Sequence, residues 1–314
     1  MTSLSTFNFQ LSTSLSDYQH TTVLLQETID ALNVKPDGIY IDATFGGGGH
    51  SRLLLEKLNA QGKLFAFDQD ETVRNHVIDD ARFTFFHQNF SEIKRMLRFE
   101  GIKQVDGILA DLGVSSHHFD TGERGFSYRF DAPLDMRMNV QETVTAADIL
   151  NTYTAEKLQK IFSEYGEVRN SKTLAETIVK NRVIKPLRRI SDLLTLTDQV
   201  GAGPKMRYLS QVFQALRIEV NDELGALNKF LAQSIEVLKP GGRIAVITFH
   251  SLEDRPVKNF FKTGNVEGKL DQDFYGNITK SFENRTKKPI LPAETEIKNN
   301  PRARSAKLRV AEKL

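Results

Sequence analysis

The segment that most limits what this chain can fold into is Asp42-Ala-Thr-Phe-Gly-Gly-Gly-Gly-His50, four consecutive glycines directly behind an apolar run and ahead of a second acidic residue, Asp68. Gly38-Ile-Tyr-Ile41 reads as the end of a buried strand and Ser51 to Leu58 as the helix that follows. Gly46 to Gly49 then form a strand-to-helix turn, where missing side chains let backbone amides come close to a bound nucleoside. Lys63-Leu-Phe-Ala-Phe-Asp68 is a second strand, ending in a carboxylate placed to accept hydrogen bonds from ribose hydroxyls. A dinucleotide fingerprint requires G-x-G-x-x-G, but counting from Gly46 puts Ser51 in the last place and counting from Gly47 puts Arg52 there. The pyrophosphate-binding version of this turn is not written here.

The series Asp42-x-Thr44-x-Gly46-x-Gly48 is similar to the first motif of class I S-adenosylmethionine-dependent methyltransferases. That cofactor has no pyrophosphate, so its loop must accept an amino acid and a sulfonium. Further strands follow in the order of a doubly wound sheet: Phe83 to His87, Val105 to Leu112, and Gly242 to Phe249. Before the last of these, Asp222 to Leu238 carries Leu224, Leu227, Leu231, Ile235 and Leu238 at helical spacing, with Asn221 as its cap and Lys239-Pro-Gly-Gly242 as its end. Helix, Lys-Pro-Gly-Gly and apolar strand resemble a second class I signature. Asn277 to Phe282 and Ser305 to Glu312 are expected to supply the final antiparallel pair. The fold class expected is α/β, a class I (Rossmann-like) methyltransferase sheet with an inserted small helical domain.

That insert accounts for the chain between the fourth and fifth strands. From 139 to 208 the period is helical, as in Leu158, Ile161, Phe162 and Tyr165, then Leu174, Ile178 and Val179. The expected organisation is a tail over 1–17, a catalytic domain over 18–138 and 209–314, and a helical substrate-recognition domain over 139–208, inserted where the carboxyl ends of the strands hold the ligand.

Composition narrows the function classes. There are 314 residues and no cysteine, which excludes disulfides, thiolate metal sites and a cysteine nucleophile. No stretch approaches the length of an apolar membrane span and the amino terminus lacks a signal pattern, so a cytoplasmic protein is expected. The net charge of +2 hides an uneven distribution: from Lys280 to Leu314 ten Lys/Arg face four Glu. A second basic cluster runs from Lys180 to Arg189. Two such runs in a methyltransferase-like chain favour a polyanionic substrate, with RNA foremost. The seven histidines show no helical ligand spacing, so no metal is expected.

Methyl transfer from a sulfonium is an in-line displacement, and the enzyme mainly holds the acceptor atom behind the methyl group. Methylation of pyrimidine carbon 5 calls for a cysteine nucleophile, so nitrogen or oxygen is the expected acceptor here. The loop after the fourth strand begins at Asp111, which could bind the methionine amino group, accept from the base, or do both through water. Phe119, Phe126, Tyr128 and Phe130 offer stacking surfaces, with Arg124 and Arg129 between them for phosphates. The Asp/Asn/Ser-Pro-Pro-aromatic motif of amino-directed DNA methyltransferases is missing. His250, after the fifth strand and followed by Glu253, Asp254 and Arg255, is either a base contact or proton acceptor, or a polar pin for its loop. Arg137 and Arg217 either contact phosphate or pair with loop carboxylates.

Seven ordered blocks carry a more specific resemblance: Tyr18 to Glu27, Phe45 to Ser51, Asp111 to Ser116, Glu123-Arg-Gly-Phe-Ser127, Pro133-Leu-Asp-Met-Arg-Met138, Phe213-Gln-Ala-Leu-Arg-Ile-Glu-Val-Asn221 and Phe249-His-Ser-Leu-Glu-Asp-Arg255. From about His20 to the carboxyl terminus the chain resembles the bacterial 16S ribosomal RNA cytosine-N4 methyltransferase (RsmH, or MraW) family. The resemblance implies methylation of the exocyclic amino group of a cytosine in the decoding, P-site region of 16S RNA, within the small ribosomal subunit, with S-adenosylmethionine as methyl donor. It places cofactor contacts on Gly48, Gly49, His50, Asp68, Phe90 and Asp111. Pro-Gln is usual in the family where this chain has His117-His118, which makes His118 a stand-in for the glutamine contact. Thr22 stands where proline is usual, a change expected to matter only to a turn. The candidate RNA contacts are Arg124, Arg137, Arg217 and Arg255, and the chain can be monomer or homodimer. Two rivals remain: a nucleotide-dependent oxidoreductase, opposed by the failed fingerprint, and a noncatalytic RNA-binding assembly factor, opposed by the intact cofactor loop.

Overall fold

A computed structural model describes residues 22–114, 122–270 and 280–314. The 1–17 tail, His20, His117, His118 and Phe119 lie outside the described residues, as does the first half of the 277–282 strand.

Strands β1 (Ile39–Asp42), β2 (Lys63–Asp68), β3 (Phe83–His87), β4 (Val105–Asp111), β5 (Leu238–Thr248), β6 (Phe282–Asn284) and β7 (Lys307–Lys313) form one sheet in the order β3-β2-β1-β4-β5-β7-β6. The first five run parallel, and β7 lies antiparallel to both β5 and β6. The sheet alternates faces with period two. Ile41, Phe65, Phe67, Ile108, Ile244 and Val246 pack beneath α3 (Ile93–Phe99), α9 (Glu223–Val237) and α10 (Ser251–Thr263). Tyr40, Leu64, Leu109, Ala245, Ile247 and Leu308 face the layer of α1 (Leu25–Leu32) and α2 (Gly49–Lys57). The class I sheet order is therefore present, and β1 and β4 meet at its switch point, where the chain leaves to opposite sides and opens a crevice at the strands' carboxyl ends.

Three sequence expectations are corrected. The 222–238 helix is not capped by Asn221, which is the last residue of the preceding helix α8 (Lys205–Asn221); the break falls at Asp222, whose φ of 45° sets the left-handed corner. Lys239-Pro-Gly-Gly242 does not stop a helix but lies within β5, where the register jumps from Val105↔Leu238 to Gly107↔Arg243 and the intervening residues bulge out, with Gly241 at φ 75°. The last pair is β6 at Phe282–Asn284 against β7, later in the chain than the hydropathy pattern placed it.

Between β4 and β5 lie α4 (Ala146–Thr152), α5 (Ala155–Glu164), α6 (Ser171–Arg182), α7 (Ile190–Val200) and α8. Their starts are set by local chemistry. Thr145 Oγ1 accepts from the Asp148 amide while Asp148 accepts from the Thr145 amide, and Thr154 caps α5 through the Lys157 amide. These helices bury a core of their own, which draws on Phe126, Leu134, Met136 and Met138 before the first helix and on Val212, Phe213 and Leu216 of α8. Helix α8 thus belongs to the insert's core and also leads back to the sheet.

Candidate functional site

A cleft of about 510 Å³ opens above the switch point. Each parallel strand delivers one side chain or loop to it. Asp42 ends β1, fully buried, accepting from Thr44 N at 3.1 Å and Ser51 Oγ at 2.6 Å. It thereby ties the strand to the first turn of α2. Burial pushes its carboxyl up to about 6, partly offset by the Ser51 and Thr44 hydrogen bonds. Asp68 ends β2 and accepts from Gly46 N and Asp70 N, both at 2.9 Å, which locks the glycine loop to the second strand. Phe90, after β3, presents a ring held edge-on by Phe230 at 5.3 Å.

The glycines divide into two kinds. Gly46 and Gly48 stand at φ 50° and 75°, left-handed backbone that favours glycine, and Gly48 is the residue before α2. At Gly49 an added Cβ would lie 1.8 Å from Thr22 Oγ1. Thr22 is more than a turn residue: it packs on the loop and lines the cleft. Gly49 and buried His50 also line it, while Gly48 shapes the turn from behind.

Asp111, the last residue of β4, donates its amide to Thr44 Oγ1 at 2.6 Å, joining the two strands that flank the crevice. Its Oδ1 is buried and has no hydrogen-bond partner among the described residues. Burial raises its carboxyl well above the ordinary carboxylate range, and the charges of Asp42, Glu253 and Glu296 add to the effect. Asp111 therefore sits in the combined negative field of three further carboxylates around the cleft. Such a field suits a ligand with an ammonium and a sulfonium and disfavours a pyrophosphate, so the residues present fit S-adenosylmethionine.

The other end is built by β5, α8, α9 and α10. His250 Nε2 lies 3.1 Å from Glu253 Oε1, and Glu253 Oε2 accepts the Phe249 amide at 2.8 Å. Glu253 is 3% exposed. Burial works to raise its carboxyl, but the His250 contact, the Phe249 amide and the Arg217 charge together hold it below its ordinary value. Arg217 grips Glu223 with both arms, Nε to Oε1 at 2.7 Å and Nη2 to Oε2 at 2.8 Å. Glu223, His250 and Glu253 each bring a ligand-type atom within 4.8 Å of the others, a grouping that their sequence spacing does not reveal. Both Glu223 oxygens are taken by Arg217, so these four residues form a charge-paired network.

The candidate arginines fare differently. Arg124 bonds Asp70 at 2.7 Å and the carbonyls of Arg137 and Met138 at 2.7 and 2.8 Å. Arg137 clasps Asp135 and donates to the carbonyls of Val140 and Glu142. Their forks are filled from within, which replaces the phosphate-contact reading of both with a role as struts for the 124–142 loop. Arg217 reaches the cleft already paired, and Arg255 is exposed on α10 away from the lining residues. Of the candidate stacking aromatics, Phe126 is buried in the core and lines the cleft, Phe130 is exposed outside it, and Tyr128 lines it, edge-on to Phe213 at 5.4 Å.

Several lining residues escape sequence reasoning. Asn221 accepts from Met138 N and donates to Met136 O, fastening the strut loop to α8. Gln69 and Asn89 bond each other beside Phe90. Asn300, Arg302 and Ser305 arrive from the 3-10 turn Pro301–Ser305, and Glu296 of α11 (Glu294–Asn299) accepts the Leu24 amide at 2.8 Å. The signal in the sequence was only the carboxyl-terminal charge excess, of which Arg285, Lys307, Arg309 and Lys313 are spent on internal pairs and carbonyls.

Comparison with known proteins gives one consistent answer. Residues 17–314 match the model of the MraW methylase family. The chain is 55% identical over 295 residues to the ribosomal RNA small subunit methyltransferase H of Bacteroides thetaiotaomicron, covering 94% of this chain and 97% of that one. It is 53% identical over 296 residues to the protein of the same name from Flavobacterium johnsoniae, covering 94% and 98%. Among solved structures, an rRNA methylase from Streptococcus thermophilus aligns over 94% of this chain and 98% of its own with a TM-score of 0.39 and 13% identity.

Proposed function

The chain belongs to the MraW methylase family, and from that premise and the chemistry of the cleft we propose that it transfers a methyl group from S-adenosylmethionine to small-subunit ribosomal RNA, on the exocyclic N4 of a cytosine in the decoding region of 16S RNA. The observation that carries the reading is the orphaned, buried Oδ1 of Asp111, in the field of Asp42, Glu253 and Glu296, in a cleft that also holds the His250–Glu253 pair.

Bound in the cleft, S-adenosylmethionine supplies an electrophilic methyl group on a sulfonium. Asp111 receives the methionine ammonium, Asp68 the ribose hydroxyls, and Phe90 covers the adenine face, with the loop from Gly48 to His50 closing around the amino-acid moiety. Tyr128 and Phe213 wall the space for the target base. The cofactor would supply the methyl group and take back the electron pair of the carbon–sulfur bond, and Tyr128 and Phe213 would hold the cytosine N4 in line behind the methyl carbon. The nitrogen's extra proton would pass to His250, whose buried ring nitrogens have no hydrogen-bond partner among the described residues and beside which Glu253 stands. Because the amino lone pair is delocalised into the ring, positioning and proton acceptance are what the protein has to contribute.

The test is transfer of labelled methyl groups to small subunits from cells lacking this gene, with nucleoside analysis of the product. N4-methylated cytidine supports the whole reading. Transfer to another nucleoside overturns the target assignment, and no transfer to subunits overturns the enzymatic one.

A further inference from the structure

We propose that the turn after α6, Val183 to Lys185 at the edge of the helical insert, is a docking knob for a segment of small-subunit RNA lying away from the target nucleotide; the proposal rests on the function just assigned. Val183 and Ile184 are each 82% exposed, while Leu187 and Ile190 a few residues later are 2% and 0%. Fraying does not account for that exposure. The amides of Ile184 and Lys185 both donate to Asn181 O at 2.9 and 3.0 Å, and Leu187 is clamped in both directions by Asn151. Arg182 turns inward to the carbonyls of Leu150 and Tyr153. A fixed turn thus projects two side chains that are themselves stiff at χ1, and ordering them on a partner costs little.

Charge selects the partner. From Thr177 to Ser191 the chain carries Lys180, Arg182, Lys185, Arg188 and Arg189 and no Asp or Glu; Asp192 just beyond takes Lys185 at 2.6 Å and Asp131 takes Arg189, while the side chains of Lys180 and Arg188 make no ion pair among the described residues. All of these cations but Arg182 are exposed. The turn is also continuous with the site. Leu134 N donates to Arg188 O, Ile190 N to Ala132 O, and Arg189 pairs with Asp131 at 2.8 Å. These hydrogen bonds tie it to the chain segment that has just passed through the cleft as Phe126 to Arg129, with Phe130, 48% exposed, between. Cations punctuated by exposed apolar groups therefore run from the cleft wall to the tip. That pattern suits phosphates held by lysine and arginine, with ribose or base faces against Ile184 and Val183.

Two double variants of the full chain, V183S/I184S and K180E/R188E, test the proposal by binding to small subunits lacking the modification and to protein-free 16S RNA, beside the unaltered protein assayed for methyl transfer on the same subunits. Replacing the apolar pair is expected to weaken both complexes about tenfold. The charge reversal is expected to lower the slope of log affinity against log salt by about one for each phosphate that the protein no longer neutralises. Cofactor affinity and melting temperature stay as in the unaltered protein, because the four side chains lie outside the cleft and the core. Unchanged RNA affinity in both variants overturns the proposal, as does weakening for subunits alone, which would assign the turn to a ribosomal protein. Lack of methyl transfer by the unaltered protein would overturn the enzymatic reading instead.

Discussion

Glu253 Oε1 lies 3.1 Å from His250 Nε2 while Oε2 accepts the Phe249 amide at 2.8 Å, so one buried carboxylate stands beside the imidazole and anchors the backbone that carries it. Glu253→Gln keeps the shape but removes the negative charge beside the imidazole. Single-turnover methyl transfer is expected to slow about 10²-fold, with cofactor affinity unchanged and an altered pH–rate profile. A purely structural Glu253 would leave the shape of that profile untouched.

Asp111 predicts a proton-linked cofactor affinity. Its carboxyl is raised by burial and by Asp42, Glu253 and Glu296, so the free protein retains a proton there over a wider pH range than an ordinary aspartate. An ammonium selects the ionised form. Binding should release protons, and affinity should rise with pH across the raised titration; calorimetry in buffers of different ionisation enthalpy reads both. Asp111→Asn should abolish the release and weaken binding about 10- to 100-fold, the worth of a charge-assisted hydrogen bond.

Asp42 acts on stability. Its folded carboxyl at about 6 lies above the ordinary 3.8, so the native state binds the extra proton between those values. The associated stability is fully present below the lower value and lost as pH rises through the upper one, amounting to about 3 kcal/mol. Denaturant titrations from pH 4 to 7 should show this decline in the free protein, and Asp42→Asn should flatten it.

Gly49→Ala should destabilise by roughly 1–3 kcal/mol, since the new methyl would meet Thr22 Oγ1 at 1.8 Å. The loss should shrink when Thr22 is also replaced by glycine. Equal melting temperatures for Gly49→Ala with and without the Thr22 change would dissociate the two residues.

Arg217→Met leaves Glu223 charged, mostly buried and without its bidentate partner. A loss of about 3–5 kcal/mol is expected, and Arg217→Met with Glu223→Gln should recover part of it. Chemical denaturation of the two variants measures the difference.

The parallel strands were legible because each is a short apolar run ended by a carboxylate or glycine, and β2 and β3 fall on the residues that the pattern named. Asp68, Asp111 and His250 were legible as cleft residues because the switch point brings every parallel strand's carboxyl end to one place, and Phe90 was named through the family resemblance. The boundary at 221–222 was not, since a helix continuing through a left-handed corner keeps its apolar period and gives no stop signal. Nor was the role of Arg124, whose partner Asp70 is 54 residues away, whereas the pairing of Arg137 with a loop carboxylate was one of its two readings and falls on Asp135, two residues off. Asn300, Arg302 and Ser305 reach the cleft only because β7 returns the chain beside β5.

The pairing of β4 with β5 has a consequence for synthesis. Lys239 closes onto Asp106 across 133 residues, so the centre of the sheet remains open on one side until the whole helical insert has been made. An insert with a core of its own can collapse first and bring the two strands within reach, which shortens the loop that the final pairing must close. A ribosome stalled before β5 would therefore carry a folded helical unit beside an unpaired β4 edge, the state in which this chain is most open to aggregation.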